Sequence, residues 1–83
     1  GMNEVIAKLA KENDIFIGID INKIKELNLL NKGKAIARIK QNISLCKRTG
    51  AKIKLLNTGS REAISFIISL GGSTQQAKFS YVN

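Results

Sequence analysis

Imidazoles, thiols and carboxylates carry most bond-making chemistry, and this chain is poor in all three. Its 83 residues contain no His, one Cys and six Asp or Glu, against 14 Lys or Arg, for a formal charge of +8. Without imidazole, the ordinary triads, zinc-bound waters and proton shuttles are excluded. Asp20 follows a β-rich run, the place where barrel enzymes hold carboxylates, yet no partner carboxylate adjoins it, and it reads as a helix cap or strand-end residue. Cys46 reads as a core thiol behaving as a small hydrophobe. A single cysteine excludes an intramolecular disulfide framework and Cys-rich metal knuckles, and it fits a reducing, cytoplasmic compartment. No catalytic residue, metal or cofactor is expected. What remains is binding.

The cations show where. Residues 1–26 hold four Lys against five acids, net −1. From Leu27 to Arg61 there are nine basic residues (Lys32, Lys34, Arg38, Lys40, Lys47, Arg48, Lys52, Lys54, Arg61) and no acid; beyond that block, Glu62 and Lys78 cancel. An acid-free block in a chain that has acids elsewhere is the footprint of a polyanion partner. The plain alternative is a solvated, solubilising face. Anionic lipid fits less well, because the block lacks the Trp and Phe that anchor interfacial helices. No apolar run approaches the roughly 20 residues of a membrane-spanning helix, so no membrane partner is expected. Asn57-Thr58-Gly59-Ser60, with Arg61 beside it, is either a phosphate cradle of backbone N–H groups or a plain capping turn. Of the aromatics Phe16, Phe66, Phe79 and Tyr81, only Phe16 falls on an expected strand, in an apolar context. Binding through backbone and shape, with strong salt dependence, is therefore expected rather than base stacking on a sheet.

These cations must be held by some scaffold. Asn3 to Asn13 reads as a helix, capped by Asn3, with Val5, Ile6, Leu9 and Ala10 near one face. Ile15 to Asp20 is apolar nearly throughout and suits a strand covered on both faces. Ile21 to Leu30 reads as a loop with a helical turn or two, and Asn31-Lys32-Gly33 as punctuation. Lys34 to Thr49 is the clearest helix, stopped by Gly50. Ala35, Ile36, Ile39, Ile43 and Cys46 share an arc of about 100°, with Lys34, Arg38, Gln41, Leu45 and Arg48 opposite. Ala51 to Asn57 is the second strand. Arg61 to Leu70, capped by Ser60, is apolar nearly all round and expected to be buried. Ser73 then caps a short segment through Lys78, and Phe79, Tyr81 and Val82 are available to dock.

Strands separated by crossover helices make an α/β fold, a βαβ unit with parallel strands. Chains split into domains of roughly 100 to 150 residues, so this chain is one small domain, residues 1–83, or the C-terminal fragment of a larger barrel. Gly1 before Met2 reads as a tag scar. Two strands leave open edges, and a homodimer through exposed strand edges is one way to close them.

Three blocks carry a family resemblance: Asn3 to Asp20; Lys34 to Asn57, including Arg38-Ile39-Lys40-Gln41-Asn42-Ile43 and Cys46-Lys47-Arg48; and Arg61 to Ser80, with Ile64-Ser65-Phe66, Leu70-Gly71-Gly72 and Gln76-Ala77-Lys78. Together they resemble the C-terminal part of archaeal ribonuclease P protein component 3, the thirty-kilodalton subunit family related to the polymerase-and-histidinol-phosphatase barrels. Leu70-Gly71-Gly72 stands where that family usually has a Gly-Met pair, Asn22-Lys23 replaces its proline, and Thr58-Gly59-Ser60 is a shortened loop. The resemblance implies a partial (β/α) barrel, like the last strands and helices of a TIM-like barrel. It also implies an RNA-binding, non-catalytic subunit that supports removal of the 5′ leader from precursor tRNA. Its implied partners are ribonuclease P RNA and protein component 2, with precursor tRNA indirectly. By matched position the expected phosphate contacts are Lys34, Arg38, Lys47, Arg48, Lys52, Lys54 and Arg61. The alternative is a small basic protein-interaction module, or a dimerising half-barrel, without that role.

Overall fold

A computed structural model describes residues 2–81. Gly1 and Val82, assigned above to a tag scar and a docking tail, lie outside them. The order is α1 (Glu4–Glu12), β1 (Ile17–Asp20), α2 (Ile21–Lys25), α3 (Leu29–Thr49), β2 (Ile53–Leu56), α4 (Ser60–Ser69) and α5 (Thr74–Phe79). β1 and β2 pair in parallel, Ile17 beside Ile53 and Asp20 beside Leu56, with α2 and α3 forming the crossover. The chain is thus a small α/β domain built on a βαβ unit.

Short polar caps set most boundaries. Asn3 Oδ1 accepts the Ile6 N–H at 2.9 Å and starts α1. Ser73 and Gln76 form a reciprocal capping box at α5. Gly50, at φ +84°, ends α3 in the left-handed region that glycine enters without a Cβ penalty.

The segment from Ile21 to Leu30, read as a loop with a helical turn or two, holds the five-residue α2 and the start of α3, each opened by a side-chain cap. Asp20 accepts from Asn22 N to start α2, and Asn28 accepts from Asn31 N to start α3. α3 therefore begins five residues before Lys34 and runs 21 residues, carrying Gly33 inside it rather than stopping there. An interior glycine costs about 1 kcal/mol against alanine, which the length of the helix absorbs. Ser60 is the first residue of α4 rather than its cap, a place held by Gly59 without a side-chain bond.

The core lies on one side of the sheet. Ile53 and Leu55 of β2 point into it beside Ile39, Ile43 and Cys46 of α3, Ala7 and Ala10 of α1, Ala63 and Ile67 of α4, and Ala77 of α5. Ile43, Ile53 and Ile67 are fully buried, each contributing about 1.5–3 kcal/mol. The opposite sheet face is uncovered. It carries Lys54 and Leu56, with Phe16 48% and Leu56 49% exposed. This corrects the expectation of a strand covered on both faces: an apolar run reports potential burial, and no layer is present to supply it among the described residues. α4 is corrected likewise. Only Ala63 and Ile67 are buried, while Ile64 and Ile68 stay on the surface.

The two sheet edges differ. On the outer edge of β2, Leu55 N donates to Ser80 O at 2.9 Å, so the C-terminal segment closes that side. On β1, Ile17 N donates to Lys52 O. By the alternation of a parallel ladder, the Gly18 amide points the other way, where no strand pairs among the described residues.

Candidate nucleic-acid interface

The basic face grows out of the packing of α3. Burial of Ile39, Ile43 and Cys46 turns the opposite side of the helix to solvent, and Lys34, Arg38, Lys40, Gln41, Lys47 and Arg48 are all exposed there. Leu45, expected among them, is partly buried and packs against the core, which narrows the face to its polar residues. No acid lies on α3, and no ion pair engages its cations among the described residues. Uncompensated cations along a rigid helix keep their full attraction for phosphate.

The remaining expected contacts separate. Arg61 is exposed in the first turn of α4. Lys52, just before β2, has its Nζ 4.7 Å from the centroid of the Phe79 ring and 3.9 Å from Asp14 Oδ1. Lys54 differs from the other six. Its Nζ is buried, sits 5.0 Å from the centroid of Phe16, and is the buried side-chain polar atom without a hydrogen-bond partner among the described residues. In this arrangement that amine is closed to a phosphate. The aliphatic stem of Lys54 meanwhile covers part of the open sheet face.

The polar groups near Asp20 serve structure. Its Oδ1 accepts from Asn57 Nδ2 at 2.9 Å, tying the end of β1 to the residue after β2. That bond, aided by the backbone amides of Asn22 and Lys23, holds the Asp20 carboxyl below its ordinary range. Asn57 itself adopts φ +63°. In the turn that follows, Thr58 Oγ1 donates to Glu62 Oε2 at 2.8 Å, so the N-terminus of α4 already has a carboxylate beside it. The turn gives α4 no side-chain cap bond. Cys46 is buried, and burial pushes its thiol up to about 11. No group of three or more potential metal ligands occurs among the described residues.

A second basic locus was not legible in the charge block. A cleft of about 450 Å³ opens between the C-terminal end of α3, the start of β2 and α5, lined by Lys11, Lys47, Lys52, Ser73, Gln75 and Phe79 among others. Lys11 belongs to α1, inside the acid-bearing part of the chain. Its side chain lies across Gly50, where an added Cβ would sit 3.0 Å from Lys11 Cδ. Only the left-handed Gly50 signals in sequence that the chain turns tightly at this point. Nothing in the sequence says that Lys11 meets it.

No family model matches the chain, and no curated protein or solved structure matches it with significance.

Proposed function

We propose that this chain is an RNA-binding, non-catalytic protein subunit of ribonuclease P, supporting removal of the 5′ leader from precursor tRNA. The observation that carries the reading is the solvent face of α3, a 21-residue helix with six Lys or Arg and no acid. In this reading the βαβ unit is part of a (β/α) barrel, and protein component 2 is its protein partner. Lys34, Arg38, Lys47, Arg48 and Arg61 meet phosphates directly, Lys52 does so near the cleft, and Lys54 does so only once its buried amine is uncovered.

Arg38 and Arg61 are the most informative contacts, because a guanidinium binds phosphate through two parallel N–H donors. Titration of ribonuclease P RNA against Arg38→Ala and Arg61→Ala tests the assignment. Each variant is expected to weaken binding without regard to sequence and to lower the slope of log K against log salt by about one. Unchanged slopes and affinities would refute it.

The open edge of β1 and the uncovered sheet face favour a second reading, a half-barrel that dimerises. Light scattering on the eluting chain separates the two: a monomer that still binds RNA excludes the dimer, and a dimer indifferent to RNA excludes the subunit role.

A further inference from the structure

We propose that the cleft between α3, β2 and α5 is a nucleotide site, binding a phosphate at Lys11, Lys47 and Lys52 with the nucleoside along Phe79. Three Lys from separate parts of the chain line it, and none of its lining residues is acidic. Their existing bonds are weak. Lys47 Nζ donates to Gly71 O at 3.3 Å, and Lys52 Nζ stands 3.9 Å from a carboxylate whose side chain is 85% exposed. An ammonium has three donors, so each amine keeps capacity for a phosphate oxygen, and a dianion outcompetes an exposed, screened carboxylate.

Ser73 adds a further donor at the rim. Its Oγ accepts the Gln76 N–H at 3.0 Å, leaving the hydroxyl hydrogen for a ligand. At about 450 Å³ the cleft falls within the roughly 300–1,000 Å³ of small-molecule sites and holds far more than a bare phosphate. Phe79, partly buried and faced by the Lys52 ammonium, supplies an apolar wall for a sugar and base.

Such a nucleotide is either free in solution or an unpaired residue of a single strand. The cleft shares Lys47 and Lys52 with the contacts proposed for ribonuclease P RNA, while Lys11, outside the acid-free block, belongs to the cleft alone.

The test is an amide-shift titration of the whole ¹⁵N-labelled chain with inorganic phosphate, a nucleoside, its 5′-monophosphate and a short single-stranded oligonucleotide. The 5′-monophosphate is expected to shift the amides of Gly50, Lys52 and Ser73 saturably and to bind more tightly than phosphate or nucleoside. Lys11→Ala should weaken it about tenfold or more, and Lys11→Arg should restore it. Arg38→Ala should leave it unchanged, which separates failure of this site from failure of the RNA face. Tighter binding of the oligonucleotide at the same amides identifies a strand as the source, and weaker binding identifies a free nucleotide; both support the cleft. Equal affinity for phosphate and nucleotide, or an unaltered Lys11→Ala, would overturn it.

Discussion

α1 and α3 pack against each other, yet they use their amphipathic character in opposite ways. α3 buries Ile39, Ile43 and Cys46, leaves Leu29 and Leu30 of its first turn exposed, and carries six cations that form no ion pair among the described residues. α1 buries only Ala7 and Ala10, leaves Val5, Ile6 and Leu9 half exposed or more, and balances two Lys against two Glu, with Glu4 and Lys8 paired at 3.6 Å. The contrast separates two kinds of surface. The charge of α3 is free to act on a polyanion, while α1 is nearly neutral outside and keeps apolar area that no described element covers. Ala7 and Ala10 are buried on the inner side of α1, and Lys11, next in the chain, lies over Gly50 at the end of α3.

The largest effect that would break this contrast is in the core. Ile43→Ala on the inner face of α3 is expected to cost about 2–5 kcal/mol, enough to unfold much of so small a domain. Leu9→Ala on the outer face of α1 is expected to stay within about 0.5 kcal/mol. Urea unfolding of both variants measures the difference, and equal costs would mean that the outer face of α1 is covered after all.

Where the two helices meet, Gly50→Ala tests the junction. At φ +84° a Cβ is strained, and here it also meets Lys11 Cδ at 3.0 Å. The expected loss is about 1–2 kcal/mol, with the Lys11 side chain displaced from the cleft.

The smallest effect sharpens the buried side of α3. Burial raises the Cys46 thiol from 9.0 to about 11, so the folded state holds its proton where the unfolded chain loses it. The thiol's contribution to stability is therefore complete below pH 9 and declines as the pH rises toward 11. Unfolding measured at about pH 8 and about pH 10 should show a fall in the wild type that is reduced in Cys46→Ala.

Much of this was legible in sequence, and the misses share one physical cause. Asn3, Gly50 and Ser73 act locally, through bonds to amides or a backbone angle, so their roles at helix ends could be read from residue type and position. The acid-free block was equally legible, since charge does not depend on pairing. Burial did not follow from composition. Ile15 to Asp20 and Arg61 to Leu70 look fully buried, yet each has only one covered face, because covering depends on layers that other elements must provide. Leu45 likewise sits opposite the isoleucines on the helix but packs inward. Asp20 met Asn57, and Lys11 met Gly50, through tertiary geometry that spacing along the chain does not encode.

Under the proposed function, the acid-free block and not total charge carries RNA binding. The direct test removes equal charge from the two regions. One variant neutralises Lys34, Arg38 and Arg48 to Gln on α3, and the other neutralises Lys8, Lys23 and Lys25 to Gln in the acid-bearing part. Salt dependence of binding to ribonuclease P RNA is then measured for each. The slope should fall by about three for the α3 variant and by less than about one for the other. Equal slopes would mean that net charge alone explains the binding, and would rule out a special role for the acid-free block.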